Sequence, residues 1–330
     1  MRPAGPSDED TVRILPRRGK RAAWPFALAA VLAIALGGSA AVWLLRPHAV
    51  PTAAVPTTPV PAPATPFEIV TASEQEIAEH VPVSLTVFRF AGNPRILVLD
   101  FASLTEQGRM LNRVAAFAEK AGLPHDRVLA DAELDAALRE RGDTVETFYF
   151  GHDYAAPTLL RFFATADRQG IELDGQEERL RGLLRQVGWF APEANAGLIS
   201  IPAAGTDPRI TQPVRAGILR HELAHGEFFS NPGYAEYVRN FWLKELTPQE
   251  RASVRAFLGK DEYDVRVEEL MYNEMQAYLM FTRDPELFTP DMAGLTQGRL
   301  EVLQERFLAG MPAGWLRDAM ADYQTSTWAK

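Results

Sequence analysis

The chain has 330 residues, 47% hydrophobic and 23% charged, which suits one large or two modest globular domains with a real core. It has no cysteine, which excludes a disulfide framework, a thiolate nucleophile and any cysteine-based metal site, so a bound metal must be held by His, Asp or Glu. The net charge of -9 conceals a step from +3 over residues 1–21 to -13 over residues 47–330, and a body that acidic argues against nucleic acid as a partner.

Residues 1–21 read as a basic cytoplasmic tail. Residues 22–45, AAWPFALAAVLAIALGGSAAVWLL, hold no charged residue. As a helix they would span about 36 Å, enough for a hydrocarbon core of about 30 Å. Trp24 and Trp43 sit where aromatic belts form, and RRGKR precedes the run. The expectation is a single-pass transmembrane helix in the cell membrane, with the rest of the chain extracytoplasmic, in the periplasm of a Gram-negative cell. A cleaved signal peptide fits less well, because the apolar run continues past the small residues GGSAA through Val42 to Leu45. Residues 46–66, rich in Pro, Ala and Thr, read as an extended stalk.

The globular part starts near residue 67 and is expected to be α+β, with a mixed α/β subdomain over 67–190 and a mainly helical one over 191–330. Two β-rich runs, 83–90 and 95–101, flank the turn signal AGNP and predict a hairpin. Helices are expected over 104–121, 131–141, 158–168 and 175–187, with TVETFYF as a short β run before the third. Asp174 with Glu177 and Thr247 with Glu250 have capping-box spacing. GLISIPAAG (197–205) predicts another strand, followed by helices over 212–229, 233–246, 248–258, 265–282 and 295–308.

The chemistry-bearing stretch is RHELAHGEFF, in which His221, Glu222 and His225 stand in the order H-E-x-x-H. On a helix, i and i+4 lie about 40° apart, so the two imidazoles can share one cation, while Glu222 lies about 100° round and can reach a water without binding the metal. Neutral imidazole suits zinc, and a catalytic zinc takes three protein ligands. For the third, Glu274 stands in an apolar stripe of Leu270, Met271, Ala277 and Tyr278, where an ionised carboxylate needs a cation. Glu245, Glu268 and Glu269 remain alternatives.

With Asn273-Glu274-x-x-Ala277 downstream, the pattern resembles a zincin metallopeptidase of the gluzincin type, over residues 197–282. The resemblance implies Zn2+ held by His221, His225 and Glu274, with Glu222 as general base, acting on a peptide or protein substrate. In such enzymes the strand before the metal helix pairs with an extended peptide, which would give 197–205 that task. The sequence departs from the family's pattern in three ways. The interval from His225 to Glu274 is long, and thermolysin-like spacing would favour Glu245. Glu227 stands at a usually hydrophobic position, and Tyr278 stands where an aspartate normally orients a histidine. A third metzincin-type histidine is absent, since Asn231 occupies its place.

Tyr278 is the first candidate to steady an oxyanion, ahead of Tyr234, Tyr237 and Tyr272, although helix tyrosines commonly serve packing. His152 and Asp153 read as a loop pair. The rival to a membrane-anchored zinc peptidase is a non-enzymatic envelope module whose metal is structural or absent. Glu222 favours the enzyme, because a structural site needs no base.

Overall fold

ILVLDF and GLISIP lack the polar alternation that would give one face to water, and both form strands buried on both faces. In the computed structural model, which describes residues 66–191 and 193–325, they are β3 (Ile96–Phe101) and β5 (Gly197–Pro202), paired in parallel inside a five-stranded sheet. β2 (Thr86–Phe90) is the antiparallel hairpin partner of β3, and β1 (Ile69–Ala72) adds in parallel beyond it. β4 (His152–Ala155) closes the other edge antiparallel to β5, giving the order β1-β2-β3-β5-β4. The sheet therefore takes strands from both sides of residue 190.

Two strand expectations are corrected. β5 is paired on both sides, so it offers no free edge to a peptide; the edge strands are β1 and, beside β5, β4. TVETFYF is not a strand, because hydroxyls bend its start: Thr144 N donates to Thr147 Oγ1 (2.9 Å) and Glu146 N to Thr144 Oγ1 (3.2 Å).

Helices α2 (Leu104–Ala118) and α4 (Ala156–Gln169) lie against the sheet, and α5 (Gly175–Gln186) packs on α2. The other face carries α6 (Gln212–Ser230), against which α1 (Glu74–Glu79), α7 (Pro232–Glu245), α9 (Glu268–Gln276) and a π-helical turn (Ala277–Phe281) pack. α3 (Asp131–Arg141), α8 (Pro248–Lys260), α10 (Gln297–Gly310) and α11 (Trp315–Thr325) complete the eleven α-helices of the described residues. Both expected capping boxes form, at Asp174 and Thr247.

The fold class is α+β, but its membrane-spanning part is corrected, and with it the single-pass cell-membrane location. No helix among the described residues is long and apolar enough to cross a membrane. The longest, α6 with 19 residues, carries Arg215, Arg220, Glu222 and Glu227 in its interior. Residues 22–45, on which that expectation rested, lie outside the described residues, as do the tail at 1–21 and all but the last residue of 46–66.

Fourteen of the 19 residues of α6 are buried, which marks it as a core helix rather than an amphipathic cover. It presses on the sheet through glycine: a Cβ on Gly197 would stand 3.0 Å from the Gly226 Cα, and one on Gly226 would stand 2.9 Å from the Ile96 side chain. The close approach brings the adjacent His225 down onto β4, with its Nδ1 3.6 Å from Asp153 Oδ1.

Glu227, the departure from the family's pattern, has a structural reason. Its Oε2 accepts from Asn93 Nδ2 (2.7 Å) and Trp315 Nε1 (2.6 Å), and its Oε1 accepts from Asn231 Nδ2 (2.8 Å). One carboxylate thus joins the β2–β3 turn, the end of α6 and α11. Glu227→Ala strands these donors in a largely buried place, with an expected loss of about 2–4 kcal/mol. Urea denaturation checks this, with Glu236→Ala on the exposed side of α7 expected to change stability by less than about 0.5 kcal/mol.

Candidate metal centre

The helical period of α6 places both imidazoles on one side, and α9 brings Glu274 up to them. His221 Nε2 and His225 Nε2 lie 3.0 Å apart, and Glu274 Oε2 stands 3.8 Å from the first and 3.6 Å from the second. All three residues are at most 1% exposed, and neither Glu274 oxygen accepts a hydrogen bond of good geometry. Two ring nitrogens that close can share one proton, which leaves a buried carboxylate unsatisfied. A cation fits better: the point equidistant from the three atoms lies about 2.0 Å from each, inside the range of about 2.0–2.2 Å for zinc with imidazole and carboxylate. The donor set, two nitrogens and one oxygen with no sulfur, suits the same ion.

Each histidine is held from behind. Thr282 Oγ1 donates to Ala277 O (2.9 Å) and lies 2.9 Å from His221 Nδ1. With its proton engaged, the hydroxyl accepts from Nδ1–H, which leaves the Nε2 lone pair facing Glu274. Thr282 arrives there because the helix widens after Glu274: Thr282 N reaches back five residues to Ala277 O in the π turn. His225 Nδ1 faces Asp153 Oδ1 at 3.6 Å, from edge strand β4. Burial, then the neighbouring His225, pushes the His221 pKa well below its ordinary value, so it is neutral and available as a ligand.

Glu222 points elsewhere. Its Oε1 packs under Gly151, where a Cβ would stand 2.0 Å away, and its Oε2 has no hydrogen-bond partner. One of its oxygens lies within 4.8 Å of Asp153 and His225 donor atoms. Burial, then Asp153, Glu274 and Glu119, raises the Glu222 carboxyl well above its usual range. Burial, then Asp153 and Glu119, does the same to Glu274.

The other sequence candidates do not converge here. Glu245 Oε2 pairs with Arg306 (2.8 Å), and Glu268 is taken by Trp242 Nε1 (2.8 Å) and Arg255. Glu269 is exposed. Tyr278 stacks edge-on against His221, with centroids 4.6 Å apart, and also against Phe257. Its hydroxyl feels Asp261 more than Glu222, and Tyr263 lies near both it and Glu274 without a well-formed hydrogen bond. The Tyr234 hydroxyl donates to Gln276 (2.8 Å) and that of Tyr237 to Phe307 O (2.6 Å), both as packing contacts. Tyr272 packs against Phe228. His152 turns to the α2 side, 2.9 Å from Ser200 Oγ; burial, then Lys120, pushes its pKa down to about 3. Asp153, its partner in the expected loop, converges with Glu222 and His225 instead, on strand β4. Thr282 and Glu119 had no motif to announce them.

A cavity of about 1050 Å3 lies on the far side of α6 between Pro213, Gly217 and Trp315, away from the histidines. The relevant openings run along β4: one of about 260 Å3 lined by Asp153 and Asn273, and one of about 360 Å3 beyond it. Both share Ala155, Phe229 and Glu269, so they adjoin. No family model, curated protein or solved structure matches this chain. The chemistry rests on the geometry above.

Proposed function

We propose that this protein is a zinc-dependent peptidase that hydrolyses peptide bonds beside β4. The observation that carries the reading is the convergence of His221 Nε2, His225 Nε2 and Glu274 Oε2 around one point, with Glu222 beside them and uncommitted. Zinc held there would supply a Lewis acid, polarising the scissile carbonyl and acidifying a water. Glu222 takes the proton from that water on a carboxylate oxygen and returns it to the leaving amine. Burial, then Asp153, Glu274 and Glu119, raises its carboxyl well above the usual range, which favours the protonated form that delivers the proton to the amine. Thr282 and Asp153 hold the two imidazoles in the ligating orientation. The unpaired edge of β4 and the adjoining cavities suit an extended peptide added antiparallel or parallel to the sheet, with side chains falling alternately into the cavities.

Metal analysis of the full chain tests the ligand set. Wild type and Glu245→Ala should each retain about one zinc, while Glu274→Ala should lose it, since two imidazoles do not complete the site. Zinc retained by Glu274→Ala and lost by Glu245→Ala would overturn the assignment. Cleavage of a diverse peptide library by the zinc-loaded chain tests the reaction, and a zinc-replete chain that cleaves nothing would leave a metal-binding module.

A further inference from the structure

The cavity of about 260 Å3 next to the metal centre is acidic beyond what the metal explains. Glu119, Asp153 and Glu269 line it, and Glu119 is only 5% exposed. Among the described residues, no Lys or Arg forms an ion pair with Glu119, Asp153, Glu222 or Glu274; the only ion-pair partners of Asp153 and Glu274 are His221 and His225. The Lys120 ammonium acts on Glu119 through space but forms its ion pair elsewhere. It lies 3.5 Å from Glu262 and sits over the Phe148 and Tyr149 rings at 4.5 and 4.3 Å. The one cationic residue lining the cavity, Arg161, is exposed and stacks on Phe117 at 4.7 Å. Tyr154, which also lines the cavity, has a buried hydroxyl with no hydrogen-bond partner.

Asp153, Glu222 and Glu274 surround a site for one dication and Glu119 lines the adjoining cavity, so with metal bound the remaining carboxyls must either hold protons or meet another cation in a place poor in water. A second metal is the weaker solution. Glu119 joins neither of the two groups of His, Asp and Glu donors that converge within 4.8 Å, and the cavity is far larger than a bare ion needs. A substrate ammonium or guanidinium has the size and charge that remain.

We propose that the cavity between Glu119, Asp153 and Glu269 is a specificity pocket for a cationic group of the substrate, either an α-ammonium terminus or a Lys or Arg side chain. The placement next to the scissile bond rests on the peptidase reading; the recognition of a cation does not. An α-ammonium would make the enzyme an aminopeptidase, and a basic side chain would make it an endopeptidase selective for basic residues.

The test is calorimetric binding to the zinc-loaded full chain of three alanine-based tripeptides: one with a free N-terminus, one acetylated, and one acetylated with a central Lys. Cleavage is measured separately. At least one cationic peptide should bind about 10-fold or more tighter than the neutral one, and which one does identifies the source of the charge. In Glu119→Gln the preference should shrink to less than about 3-fold; if that variant does not fold, Glu269→Gln, altered at an exposed carboxylate, takes its place. Equal binding of all three peptides, a preference unchanged in the variant, or a second zinc that Glu119→Gln removes would each overturn the proposal. A cation preference without cleavage upholds the pocket and sinks only the hydrolase.

Discussion

Glu222→Gln is expected to lower peptide cleavage by about 10²-fold or more while zinc content stays at the wild-type level. The two effects separate because Glu222 is outside the triangle of ligand atoms: its carboxyl packs under Gly151, and its Oε2 has no partner. Gln has the same shape and fits the same space, so folding should be preserved. Removing a buried acid raised by burial and by Asp153, Glu274 and Glu119 relieves repulsion, and stability should hold or rise slightly. What is lost is the proton acceptor. His221→Ala contrasts with this, because it removes a ligand and should abolish zinc and cleavage together. Equal cleavage by Glu222→Gln and wild type would remove Glu222 from the mechanism, and zinc loss in that variant would make it a ligand instead.

The sequence showed the metal helix clearly and its surroundings poorly. His221 and His225 are four apart on one helix, so helical periodicity alone brings their rings together. Glu274 was legible for a different reason: an isolated acid among Leu270, Met271, Ala277 and Tyr278 needs a partner. Thr282 was not legible, because its approach to His221 depends on the helix widening into a π turn, and nothing in AYLMF demands that. Asp153 was hidden by parity. In a four-residue strand, alternation sends His152 to Ser200 and Asp153 to His225, but that separation exists only once β4 pairs with β5. The reading of 197–205 as a peptide-binding edge failed on topology. Strand sequence reports burial, whereas edge position depends on β5 inserting between β3 and β4, a long-range arrangement with no local signal.

Chelating the metal should make stability fall as pH rises above about 6.5, and zinc should weaken that trend by removing the share that Glu274 contributes. The sign follows from the buried acids. Glu119, Glu222 and Glu274 all have carboxyls raised well above the ordinary 4.5, in each case chiefly by burial. Without metal, the folded chain holds protons that the unfolded chain releases. Their contribution is fully present below pH 4.5 and is lost as pH climbs through the raised values. His221 and His152 act in the opposite sense. Both are depressed below 6.5, so their contribution is present above pH 6.5 and is lost as pH falls. Above pH 6.5 the histidine contribution is constant, and the raised carboxyls, with Glu177 at about 7 among them, pull stability down as pH rises. Zinc replaces those protons at Glu274 with a cation, so its binding should release protons and strengthen with pH. At free zinc about 1,000-fold above Kd the gain is about 4 kcal/mol. For a folded region of this size that corresponds to a rise in Tm of about 10 °C. Thermal unfolding with and without chelator between pH 6.5 and 8.5 measures both effects. A Tm insensitive to chelator would show that the cluster of His221, His225 and Glu274 holds no metal, and a chelated chain whose Tm rises over that interval would overturn the account of the buried carboxyls.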